Sequence, residues 1–281
     1  MALWAPRVSA LPHAAWWWQV PFAFALVLAA AGSVVDARGL LALLVFGAAC
    51  VAARRASTPA VRVVAHVVML AACAGLFLHV VPGFDNPRVL SEVVLTPGAE
   101  PYTKYLNFDK GVAGLFLLGL YAPDRAASDE GGRHAAGVLW RIAVLTIVVM
   151  VLSLASGYVR WDPKLPSWWP LWAWSMVFLT ALPEEALFRG VVQEWMARVF
   201  ARWSQTSRTD LLAAVATGLI FGLAHAAGGL VYVVLAVAAG IGYGWVYASS
   251  RSIAAAVLAH TAVNTVHFVF FTYPSLAPGG P

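Results

Sequence analysis

Charge is scarce in this chain, and its apolar residues come in long runs. Only 11% of the 281 residues are charged and 61% are hydrophobic, whereas a soluble domain carries about 25% charged residues. The predominantly apolar segments fall at roughly 17–35, 38–53, 61–82, 110–122, 137–158, 168–193, 211–227, 229–248 and 252–272. Crossing a bilayer takes about 20 mostly apolar residues. Backbone facing lipid must satisfy its own hydrogen bonds, so each segment is expected to be a helix. The pattern predicts an all-α fold, a polytopic transmembrane helix bundle of eight or nine spans. The second and fourth segments are short enough to lie partly in the interface.

The formal charge of +5 calls for no nucleic acid, because cytoplasmic loops of membrane proteins are rich in Lys and Arg. Across nine spans, one side would hold Arg7, Arg54, Arg55, Arg62, Arg125, Arg133, Arg141, Arg198, Arg202, Arg208 and Arg251. The other would hold only Arg38, Arg88, Lys104, Lys110, Arg160 and Lys164. This bias predicts a multi-pass protein of the cell membrane with a cytoplasmic N-terminus. The first apolar run mimics a signal peptide, but the many later spans favour an uncleaved first helix. Trp16, Trp17 and Trp18, and the group Trp161, Trp168, Trp169, Trp172 and Trp174, are expected to be interfacial anchors. Cys50 and Cys73 lie in apolar segments without metal-site spacing and read as small buried hydrophobes.

Two regions are expected. Residues 1–160 would be N-terminal transmembrane helices of unassigned function, with a Pro-rich outer loop near 83–109, ordered or partly disordered. Residues 161–281 hold the polar motifs. Ser204–Thr209 reads as a solvated linker, with Asp210 capping the next helix.

Ionisable residues inside apolar helices are costly and mark functional sites by default. Three such islands occur in the last hundred residues. In Pro183-Glu184-Glu185-Ala186-Leu187-Phe188-Arg189, Glu185 and Arg189 are four apart and can pair on one helix face. Glu184 is turned about 100° away and is freer to act as a base. Pro183 has no N–H, so the carbonyl of Leu179 loses its helical donor and local opening is expected. In Phe221-Gly222-Leu223-Ala224-His225 the histidine closes a helix just before Gly228-Gly229, among small residues that would admit a neighbouring helix. His260 and Asn264 share one face of the last helix, where an amide can donate to a developing oxyanion. His267 continues that face and reads as a packing residue. A carboxylate, two imidazoles and a carboxamide suit the activation of water. At about 1.5 Å per residue, His225 would lie deeper than Glu184 and His260 unless its helix starts above the bilayer.

In order, EEALFR, FGLAH and HTAVN resemble the motifs of the CAAX protease and bacteriocin-processing (Abi-type) family, over about residues 168–272. That resemblance implies a glutamate-dependent intramembrane protease, with residues 161–281 as its core. Glu184 then resembles the base that activates water, assisted by His225. His260 and Asn264 resemble the oxyanion-stabilising pair, and Glu185 and Arg189 the supporting residues. The implied partner is a membrane-embedded or membrane-anchored protein or peptide substrate. No cofactor is expected. Zinc held by Glu184, His225 and His260 is the alternative, disfavoured because the ligands are scattered and Asn264 would have no role. The competing reading is a non-enzymatic immunity or scaffolding protein of the same fold.

Overall fold

A computed structural model of the protein describes residues 18–121, 131–202 and 208–277. Trp16, Trp17, Arg7, Arg125 and the 204–207 part of the expected linker lie outside the described residues. Helices dominate. Among the described residues, five are long and apolar enough to cross a membrane: Ala37–Arg55, Pro59–Phe77, Ala135–Ala155, Ala226–Ser250 and Ile253–Phe270. The other expected segments are helical too. Gln19–Ala31 and Thr209–Ala224 are shorter, and 108–121 and 169–200 are broken by wide π-helical turns.

The chain forms two compact units, Met1–Pro87 with Asn107–Asp124, and Arg88–Leu106 with Arg125–Pro281. The first unit contains α1 (Gln19–Ala31), α2 (Ala37–Arg55), α3 (Pro59–Phe77) and α4 (Phe108–Phe116), the last running on into a π turn at Leu117–Tyr121. Asp36 caps α2 by accepting from the amides of Arg38 (2.7 Å) and Gly39 (3.1 Å). Cys50 and Cys73 are free thiols in the core, as their setting suggested.

One buried polar knot ties this unit together. Asp109, 1% exposed, accepts from His79 Nδ1 (2.8 Å), Asn86 Nδ2 (2.9 Å) and the Lys110 amide (2.8 Å). Asn86 in turn accepts from the Phe108 amide at 2.7 Å. The knot joins the start of α4 to the segment after α3. Asp109→Ala would remove the buried charged acceptor that these groups share and is expected to destabilise the unit by about 1–3 kcal/mol. Hydrogen exchange over 79–110 checks this, and unchanged protection there would contradict it.

The second unit carries the three motifs. It begins with β1 (Arg88–Val93) and β2 (Tyr102–Tyr105), an antiparallel pair with Leu90 opposite Lys104 and two irregularities in register. The expected outer loop is therefore partly a hairpin. Then come α5 (Gly131–Ala155), α6 (Trp169–Met176), α7 (Leu182–Leu187), α8 (Glu194–Phe200), α9 (Arg208–Ala224), α10 (Gly229–Ser250) and α11 (Ile253–Phe270). Helices α5, α9, α10 and α11 share one apolar core that includes Leu145, Phe221, Tyr243, Val246 and Val263.

The carbonyl end of α11 is covered by chain. The amides of Asp162 and Lys164 donate to Phe270 O (2.8 Å) and Val269 O (2.7 Å). Lys164 Nζ also donates to the carbonyls of Phe271 and Asp162. Burial pulls its ammonium below the ordinary lysine range, opposed by the Asp162 carboxylate. His267, expected to be a packing residue, donates from Nε2 to Thr272 O at 3.1 Å and so also ties down the chain after the helix.

The structure departs from the expected roles at two residues. Trp172 is not an interfacial anchor: it is 2% exposed and stacks on Phe268 with ring centroids 4.0 Å apart. Trp168 packs against the same cluster, whereas Trp161, Trp169 and Trp174 are exposed. The aromatic rings of Phe268 and Tyr273 offer an interior partner that tryptophan composition alone does not reveal. Asp210 does not cap its helix. The helix already begins at Arg208, so Asp210 sits in its first turn and pairs with Arg251, at the end of α10.

Candidate active site

The first motif lies inside one long helical run, Trp169 to Phe200, widened by π turns at Val177–Ala181 and Phe188–Gln193. Such turns are rare and occur frequently at functional sites. The first has a visible cause. Pro183 offers no N–H, and just before it the Leu182 amide reaches back five residues to Val177 O. Between the two turns, α7 presents Glu184 (6% exposed) and Glu185 (fully buried) to the interior. Arg189, also fully buried, donates from Nε to Glu185 Oε2 at 2.7 Å. This is the i,i+4 pair anticipated from spacing.

The third motif meets the first directly. Ser252 caps α11 by accepting from the Ala255 amide at 3.2 Å, and two turns later His260 faces α7. His260 is 4% exposed, and its Nδ1 donates to Glu185 Oε1 at 2.8 Å. A carboxylate only accepts, so the Nδ1 proton is assigned. Nε2 is then 3.8 Å from Glu184 Oε2. One imidazole thus bridges the two adjacent glutamates. Tyr243 of α10 stacks on the same ring, 4.6 Å between centroids and 12° from parallel, which fixes its plane. Asn264 is half-buried one turn on, and its Nδ2 donates to Met176 Sδ at 3.2 Å. A thioether is a weak acceptor, so this amide gives up little by turning to a stronger one.

The second motif arrives through close helix packing. Gly218 and Gly222 on α9 face α10, where a Cβ on Gly222 would lie 2.2 Å from Val237 Cγ2 and one on Gly218 2.5 Å from Ile241 Cγ1. Small residues four apart let helices approach in this way. The contact brings Phe221 to within 4.9 Å of Phe188 and 5.9 Å of His260, between ring centroids. His225 sits beyond the end of α9, where Gly229 (φ 83°, ψ 170°) reverses the chain in a conformation open essentially only to glycine. Its ring lies 4.5 Å from that of Phe221, and Nδ1 donates to Phe221 O at 2.7 Å. Nε2 is the ring nitrogen not engaged by that carbonyl. Gly222→Leu should cost about 1–3 kcal/mol through overpacking and move Phe221 and His225. A melting temperature equal to that of the wild type would contradict this account.

The cluster combines two carboxylates, one guanidinium and one imidazole: hydrogen bonds join Arg189, Glu185 and His260, and Glu184 Oε2 lies 3.8 Å from the ring. Such a set can hold a water beside a carboxylate and offer donors to an oxyanion. Arg189 Nη2 has no hydrogen-bond partner among the described residues, but the guanidinium lies 5.7 Å from the Phe221 ring centroid, which compensates in part. Among the described residues, no group of three or more His, Cys, Asp and Glu side chains has the arrangement of a metal site. Tyr243, Met176 and Gln193 also reach the cluster, and none was singled out from sequence. Only Gln193 carried a signal there, as a polar residue four after Arg189. Tyr243 and Met176 are ordinary apolar-helix residues whose role depends on which faces meet.

Residues 166–266 match a family model described as Type II CAAX prenyl endopeptidase Rce1-like. The resemblance seen in the three motifs is thereby borne out over this segment, which contains all of them. The match and the five long apolar helices mark a multi-pass membrane protein with a CAAX-protease-like segment. No match is found among curated proteins or solved structures.

Proposed function

We propose, from the Rce1-like character of residues 166–266, that the protein is an intramembrane endopeptidase acting by glutamate-activated water. The observation that carries this reading is His260, held between Glu185 at 2.8 Å and Glu184 at 3.8 Å inside an apolar bundle. A water oxygen can lie within hydrogen-bond distance of both Glu184 and the His260 ring. Glu184 takes a proton as that oxygen attacks the substrate carbonyl carbon. The resulting oxyanion accepts from Asn264 Nδ2, swung away from Met176, and from His260 Nε2–H in the imidazolium form. Glu184 then passes its proton to the leaving nitrogen as the C–N bond breaks. His225, with Nδ1 engaged by a carbonyl, offers Nε2 to steer the water. Glu185 and Arg189 orient His260.

The proposed substrate is a membrane-anchored protein or peptide, a prenylated CAAX chain being the first to test. We assign eight or nine spans, counting the shorter and interrupted helices, and a cytoplasmic N-terminus in the cell membrane from the distribution of Lys and Arg. The reaction requires no cofactor. The test is incubation of the purified protein with a prenylated CAAX peptide and its unprenylated counterpart, with and without a chelator. Chelator-resistant release of a C-terminal fragment is expected. Activity that returns only on adding zinc would overturn the metal-free mechanism, and no cleavage of either peptide would count against the CAAX substrate.

A further inference from the structure

Beyond the motif residues, a second polar residue runs from Arg189 into α10. Gln193 is 3% exposed and one helical turn past Arg189. Its Nε2 donates to Gly244 O at 2.9 Å, across to α10. A carbonyl can only accept, so the amide is oriented and Oε1 is turned toward Arg189, accepting from Nη1 at 3.4 Å. Room for this exists because residue 244 is glycine. A Cβ there would lie 2.9 Å from Gln193 Oε1 and 2.8 Å from the Ala214 side chain. The hydrogen bonds are continuous: Gly244 O, Gln193, Arg189, Glu185, His260.

We infer that Gln193 is a positioning residue for the proposed hydrolysis, anchoring the Arg189 guanidinium to the α10 backbone so that Glu185 presents His260 at a fixed angle. A guanidinium held by one carboxylate alone can pivot about that contact. A second fixed acceptor removes the freedom. The catalytic part of this inference rests on reading the cluster as a hydrolytic site, whereas the coupling of Gln193 to Arg189 does not.

The test pairs kinetics with melting. Gln193→Met keeps the volume and removes both hydrogen bonds, while Arg189→Lys keeps the charge and removes the fork. With the prenylated CAAX peptide, Gln193→Met should lower kcat roughly 10-fold with KM little changed, the scale expected of a small misplacement. In the Arg189→Lys background the same substitution should add little. In thermal melts, which need no substrate, the shifts of the two substitutions should be non-additive, as for residues sharing one network. Additive melting shifts would overturn the inference, as would wild-type kcat in Gln193→Met. A wild type that cleaves nothing while the melts stay non-additive would remove the hydrolytic reading and leave the coupling standing.

Discussion

Glu184→Gln is expected to abolish peptide-bond cleavage while the protein still folds and inserts. The carboxamide matches the carboxylate in size, so the tight packing between α7 and α11 survives. What disappears is the basic oxygen 3.8 Å from His260 Nε2. General-base catalysis contributes roughly 10²–10⁴-fold to a rate, and kcat should fall by that order. Because Glu185 and Arg189 keep their own contact at 2.7 Å, the melting temperature should move little. Comparing membrane peptides from wild-type and Glu184→Gln cells reads activity and substrate together. Equal peptide sets, with purified Glu184→Gln cutting as fast as the wild type, would end the assignment of Glu184 as base.

The second large effect falls on stability. Arg189→Met leaves the fully buried Glu185 without its guanidinium, and breaking a buried ion pair from one side costs about 3–5 kcal/mol. His260 would then be the main counterweight to two adjacent carboxylates. The paired change Glu185→Gln with Arg189→Met removes the stranded charge and leaves His260 an acceptor. It should recover much of the loss, since replacing both partners is far less damaging than removing one. Thermal melting in detergent distinguishes these outcomes. If Arg189→Met alone melted like the wild type, the pair would hold no structural role.

Much of the site could be read from sequence because its key relations lie within single helices. Glu185 and Arg189 pair at i,i+4 as their spacing requires. The break after His225 falls where Gly228-Gly229 predicts. Gly218 and Gly222 admit a neighbour, as small residues do. The relations between helices were not legible. Nothing in the periodicity of α11 says that His260 lies against α7, that Tyr243 covers its ring, or that Asn264 faces Met176. Helix α5 is a plain apolar segment in sequence, yet it packs with α10 and α11 in the motif-bearing unit, so the first 160 residues are shared between two units. The hairpin at 88–105 leaves no sequence signal because its strands are short and irregular, without the alternation that marks a half-buried sheet.

The class of the protein and the residue types of its site follow from the apolar runs and the three polar islands alone. An apolar chain in lipid must close its own backbone hydrogen bonds, and the few ionisable groups retained there need partners. Which partners they find is a matter of how the helices pack. Helical periodicity says which residues share a face, but which faces meet depends on close approach. Here that approach is set by glycines at the α9–α10 contact and by the turns around Pro183 that aim two glutamates at one imidazole.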